Sequence, residues 1–258
     1  MPLTGILSAL DQSPLFLQHL KGIAGSTSAT QISLRQGARP AFIGALWQRR
    51  NRPMLVISPR PEDARRLHDQ LLTYLGETQA LHLLPEPEVL PFERLAVDAG
   101  TSNQRLAALA ALASSANPVG EQNGPQPLVI ASTSAVLRQT LPPQAMMPGI
   151  SDAPDANVWK VGQRVRLNQL LARWVDLGYR NEPVVEVPGT FSHRGGIIDI
   201  YPSHSELPFR IELWDDEIDT IRLFEPRTQR SIRSVDEVSI IPAREQLPNL
   251  ADRNRVEI

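Results

Sequence analysis

The sequence contains no cysteine, which excludes disulfide staples, thiolate metal centres and thiol nucleophiles. No stretch approaches the roughly 18 consecutive apolar residues of a membrane-spanning helix. The first residues, MPLTGILSAL, lack the basic region that opens a secretory leader. Charge of one sign is missing too: 26 Lys and Arg are intermixed with 28 Asp and Glu, for a net charge of −2. That balance excludes holding nucleic acid by bulk positive charge, so any such contact has to be local. These absences describe a soluble cytoplasmic protein with no membrane partner.

A phosphate-binding loop is also absent. Its glycines let backbone amides cradle a phosphate, while a lysine and a hydroxyl serve the γ-phosphate and magnesium. The nearest candidate, LRQGARPAFIGALW, has Gly37 but no Gly-Lys-Ser/Thr, and Pro40 follows its arginine. The sequence therefore predicts no ATP hydrolysis by this chain and no cofactor. Five histidines (His19, His68, His82, His193, His204) form no HxxxH or HExxH pair. His193, His204 and Asp199 are the one conceivable metal cluster, and exposed loop and strand histidines are the preferred reading. The acidic run WDDEID reads as a hairpin turn between two alternating strands rather than as a cation site or catalytic pair.

What is present falls into two textures. At 258 residues the chain is long enough for two ordinary domains. Residues 1–50 hold short apolar helical stretches around SPLFLQHLKGIAG and PAFIGALWQRR. From 51 to 141 strands and helices alternate. MLVIS (Met54 to Ser58) is a short apolar run of buried parallel-strand type, and Ala64, Leu67, Leu71 and Leu75 follow at helical spacing between Pro61 and Gly76. LHLL is a second strand and an Ala/Leu helix runs from about Asn103 to Ser115. PLVIASTSAVLRQT supplies a third strand leading into a capped helix. This order predicts an α/β domain on a parallel sheet. The segments PEPEVLPFERL and NPVGEQNGPQ read as loops.

After the proline-punctuated connection near residue 142 the texture changes. VWKVG is a short strand, and LNQLLARWVDLGY is an amphipathic helix with Leu167, Leu170, Leu171 and Trp174 on one side. PVVEV, GTFSHRGG, IIDIYP, PFRIELW, IDTIRLF and EVSII are then strands of an antiparallel meander. The second half is a separate α+β unit.

Parity within TFSHRGGIIDIYP is informative. An unbroken strand puts Arg194 on the face of Ile198 and Ile200, burying a lone guanidinium. A bulge at Gly195 or Gly196 resets the alternation and places Arg194 with Asp199 and Tyr201 on the opposite face. The bulge is the preferred expectation, with an internal pair of Arg194 to Asp199 or Glu212 as the alternative. Arg210 and Glu212 alternate outward from Phe209, Ile211 and Leu213. Tyr179, Arg180 and Asn181 follow the helix stop at Gly178, so a protein-binding patch of arginines and an aromatic on one sheet face is expected.

The run GTFSHRGGIIDIYPSHSELPFRIELWDDEIDTIRLFEPRTQRS resembles the amino-terminal module of the bacterial transcription-repair coupling factors (Mfd) and, less closely, the matching part of the excinuclease component UvrB. LPEPEVLPFERL, ASTSAVLRQTLPP and LARWVDLGYRNEP support it in the same order. The resemblance implies a degenerate helicase-like α/β domain, of P-loop NTPase type but without its Walker A motif. Into it is inserted an α+β domain over 142–227 that docks onto the excinuclease component UvrA, and 228–258 return to the first domain. It implies a non-catalytic adaptor in nucleotide excision repair, with Arg180, Asn181, Arg194, Arg210 and Glu212 as partner contacts. Ser192 stands where UvrB has an arginine. RNA polymerase and DNA are implied as partners only through domains beyond Ile258, the returning domain being cut short. Two other readings accompany this one: a helicase fragment meeting DNA phosphates, and a regulatory lid for an absent motor.

Overall fold

The computed structural model describes residues 3–24, 29–78, 80–86, 99–115, 125–146, 158–245 and 247. In chain order the elements are α1 (Thr4–Asp11), α2 (Pro14–Ala24), a 3-10 turn at Gln36–Ala38, α3 (Arg39–Arg50), β1 (Met54–Ser58), α4 (Pro61–Leu75), β2 (Leu81–Leu84) and α5 (Ala99–Ser115). They continue with β3 (Leu128–Ser132), α6 (Thr133–Val136), α7 (Pro143–Met146), β4 (Val158–Lys160), α8 (Leu167–Asp176), β5 (Arg180–Asn181) and β6 (Thr190–Arg194). The series ends with β7 (Ile197–Tyr201), β8 (Phe209–Trp214), β9 (Glu217–Phe224), β10 (Ser231–Val235) and β11 (Glu237–Ser239). Most of PEPEVLPFERL and of NPVGEQNGPQ, and the tail from 248, lie outside the described residues. None of the described helices is long and apolar enough to cross a membrane.

The elements form two compact units. The first holds a parallel sheet of order β1-β3-β2. β3 is central and buried along its whole length, as its continuous apolar run dictates. β1 departs from the expectation of a strand covered on both sides: Leu55 and Ile57, which alternate onto one face, are exposed, so that face is left open at β1. α4 lays Ala64 and Leu71 against Trp47, Leu128 and Ile130, with Pro61 in its first turn and Gly76 at its end. α6 opens on Ser132, whose hydroxyl accepts from the Ala135 amide at 3.1 Å. In residues 1–50, α1 and α2 cover α3 through Leu7, Phe16 and Phe42, the two Phe rings meeting edge-on at 5.3 Å.

The second unit is built on a six-stranded sheet of order β10-β9-β8-β7-β6-β5, antiparallel except for the short parallel pair β5 and β6. One face carries Phe191, Ile198, Ile200, Ile211 and Ile221 against Leu170 and Trp174 of α8, with Trp174 edge-on to Phe191 at 5.7 Å. Each such buried side chain contributes about 1.5–3 kcal/mol of transfer free energy. A ribbon of β4 and β11 adds Trp159 and Val238 to the same core. The unit does not stop at residue 227: β10 completes the sheet and β11 pairs with β4. α5, which the sequence division places before residue 142, also clusters with this unit, its Leu106 and Ala110 packing on Leu141, Met146 and Ile241. Arg105 of α5 holds Glu245 through two bonds of 2.8 and 3.0 Å.

PVVEV is not a strand. The run is bracketed by Pro183 and Pro188, which offer no amide to a ladder, and its carbonyls are taken by side chains. Ser192 Oγ donates to Pro183 O (3.2 Å), Gln229 Nε2 to Val185 O (3.1 Å) and Thr190 Oγ1 to Val187 O (2.6 Å). The segment crosses the sheet face opposite α8 and seats Val185 on Tyr201 and Phe224.

Candidate functional site

The turn at Gly195-Gly196 sets the site. It is a two-residue hairpin connection, with Arg194 opposite Ile197, and not the expected bulge inside one strand. Gly195 sits at φ +62°, the left-handed region that glycine enters without strain. Gly196 lies where a Cβ would stand 2.9 Å from the Leu213 carbonyl oxygen. The reversal accomplishes what the bulge was invoked for: opposite residues share a face, so Arg194, Ile197, Asp199 and Tyr201 stand together, away from Ile198 and Ile200. The Leu213 amide donates to Gly196 O at 2.8 Å and ties this turn to β8.

That outer face also receives Ser192 from β6, Arg210, Glu212 and Trp214 from β8, and Thr220, Arg222 and Phe224 from β9. It has a covered half and an open half. Under the 183–187 segment lies Asp199, 2% exposed, held by Arg210 through Nε (2.7 Å) and Nη2 (2.9 Å). The Arg210 guanidinium also sits 4.8 Å from the centre of the Phe224 ring and donates to Gln229 O at 3.3 Å. Its hydrogen bond to Asp199 raises its already high pKa. Arg210 thus differs from the expected outward contact group: its donors are engaged inside the fold. Ser192 is buried under the same cover.

The open half carries Arg194, 63% exposed, whose nearest anion is Asp199 Oδ2 at 3.9 Å. Asp199 is already engaged by Arg210, so the three groups leave one positive charge uncompensated. Beside Arg194 lie Ile197 and then Glu212, which accepts from Thr220 Oγ1 at 3.1 Å and pairs with Arg222 at 3.5 Å. Arg180 and Asn181 are exposed on the edge strand β5, with Arg180 3.9 Å from Glu182. β5 pairs with the start of β6, at Thr190 and Phe191. Arg180 and Arg194 are therefore separated by about 13 Å along the strand direction, an extended surface rather than one pocket.

Two exposed apolar side chains on the open half were not among the sequence candidates: Ile197 and Trp214. The signal for Trp214 was in the sequence, since it keeps phase with Arg210 and Glu212. WDDEID forms the expected hairpin turn, with Trp214 opposite Glu217 and Asp215 at φ +57°. His193 Nε2 lies 2.6 Å from Gly195 O, whereas burial pushes His204 down to a pKa of about 4 and leaves its Nδ1 without a hydrogen-bond partner. Among the described residues no group of three or more His, Asp or Glu is placed to hold a metal ion.

Residues 158–245 match the family model of the UvrB interaction domain. Over most of its length the chain is similar to the transcription-repair-coupling factors. It is 35% identical to that of Bacillus subtilis (strain 168) over 235 residues, which cover 88% of this chain and 17% of that protein. It is 34% identical to that of Myxococcus xanthus over 239 residues (91% and 19%), and 33% identical to that of Mycobacterium tuberculosis (strain CDC 1551 / Oshkosh) over 237 residues (91% and 18%). The chain thus spans less than a fifth of the length of each of these curated relatives.

Proposed function

We propose that this chain is a non-catalytic adaptor module of transcription-repair coupling, and that the outer face of its sheet recruits the excinuclease component UvrA in nucleotide excision repair. The observation that carries the reading is Arg194: an incompletely paired guanidinium held outward by a rigid two-residue turn, inside a UvrB interaction domain. Arg194, Arg180 and Asn181 are the direct contacts, and an arginine fork at such a position takes a carboxylate or a run of carbonyls in the partner. Arg210 and Glu212 act on the same face by fixing Asp199 and Arg222. The α/β unit is read as a degenerate helicase-like domain because its parallel sheet occurs with no phosphate-loop lysine in the sequence. Contacts with RNA polymerase and DNA are assigned to other parts of a longer protein.

The test is binding of the chain to UvrA with no duplex present. A complex forming without DNA is the expected outcome. Affinity for duplex alone, lost steeply as salt is raised, is what a nucleic-acid binder shows instead and would contradict the adaptor reading.

A further inference from the structure

Trp214 is 81% exposed, the most exposed large apolar side chain among the described residues, while Trp47, Trp159 and Trp174 are buried. The hairpin does not need its indole: the strand ends are set by the pairing of Trp214 with Glu217, and the turn by Asp215 in the left-handed region. A tryptophan presents roughly 150–250 Å² of surface, and here most of it is left in water on a stiff strand end. Its neighbours make that placement meaningful. Ile197, 43% exposed, lies opposite Glu212, so Trp214 is its diagonal neighbour at about 7–8 Å, and Arg194 lies opposite Ile197. Trp, Ile and Arg thus form one continuous strip across two hairpin tips joined by the bond from Leu213 N–H to Gly196 O. Trp and Arg are the residue types that most often carry interface energy, and a pre-ordered backbone reduces the ordering cost of binding.

Charge identifies the class of occupant. Asp215, Asp216 and Glu217 follow Trp214 at the tip, with Glu217 opposite it; among the described residues the cation paired with them is Arg164, 3.9 Å from Asp216, and Glu212 lies two residues before the indole. Phosphates are repelled from such a tip, which disfavours a nucleobase stacked on the ring. We infer that Trp214 is the anchor of the partner interface. It enters an apolar cleft of a protein whose rim is basic toward the Asp215–Glu217 tip and carries a carboxylate toward Arg194. This rests on the docking of UvrA proposed above.

The experiment titrates the 258-residue chain, its Trp214→Ala, Trp214→Phe and Arg194→Ala variants, and a 5-fluorotryptophan-labelled form against UvrA, and separately against duplex DNA. The expected result is a loss of about tenfold or more for Trp214→Ala, retention within about threefold for Trp214→Phe, and movement of the Trp214 fluorine resonance on adding UvrA. Denaturation curves should superimpose, because the indole is outside the core. If Trp214→Ala binds within about twofold of the parent while Arg194→Ala is weakened, the anchor is overturned and the interface stands. If neither variant is weakened, the docking reading falls and the anchor falls with it. A Trp214 resonance that moves with duplex DNA and not with UvrA also overturns the inference.

Discussion

Arg210 and Asp199 stand opposite each other on β8 and β7 and close a two-pronged ion pair of 2.7 and 2.9 Å, in which the carboxylate is almost wholly removed from water. The pair divides the outer face. It consumes the arginine that the alternation of PFRIELW points outward, and it leaves Arg194, 3.9 Å from the same carboxylate, as the cation with free donors.

Removing one member of this pair strands the other. Arg210→Ala is expected to destabilise the chain by about 3 kcal/mol or more, since Asp199 keeps only a distant cation. Asp199→Asn combined with Arg210→Met should cost clearly less than Arg210→Ala alone. Urea denaturation of the single and double variants checks this, and additive losses would contradict it.

The two turn glycines are expected to differ. Gly195→Ala strains a left-handed residue whose Cβ has open space around it, a loss of about 1 kcal/mol that Gly195→Asn largely avoids. Gly196→Ala drives its methyl against the Leu213 carbonyl, so the turn must shift away from β8. The measurable consequence is a larger loss of stability than at Gly195, together with weakened partner binding through a displaced Arg194.

His204 gives the fold an acid-sensitive element. Its pKa falls from 6.5 to about 4 on burial, so the unfolded chain binds the proton more readily than the folded one. The associated stability is complete above pH 6.5, is lost as pH falls from 6.5 towards 4, and changes no further below that. The loss is about 3 kcal/mol. His204→Gln should flatten the stability profile in that window, as read by denaturation midpoints at stepped pH. An unchanged slope would show that other groups set it.

Much of the fold was legible because its elements keep strict periods. α8 announces its face through Leu167, Leu170, Leu171 and Trp174, and β7 to β9 announce theirs by alternation. β10 was missed because SIRSV has exposed residues on both faces and so shows no pattern. PVVEV was misread because its apolar residues look like strand, while the sheet takes Val185 as a cover for Tyr201 and Phe224. At the site, the orientation of Arg194 followed from parity although the device is a turn and not a bulge. The engagement of Arg210 was not legible, because it depends on Asp199 from the neighbouring strand, on Gln229 and on a crossing segment that only the tertiary fold brings together.

The most direct measurement is the affinity of the chain for UvrA, in the absence of DNA, for the parent and for Arg194→Ala and Arg180→Ala. The account predicts a loss of about 2 kcal/mol or more for Arg194→Ala, a smaller one for Arg180→Ala at the sheet edge, and unchanged folding in both. Parental affinity in both folded variants would contradict it.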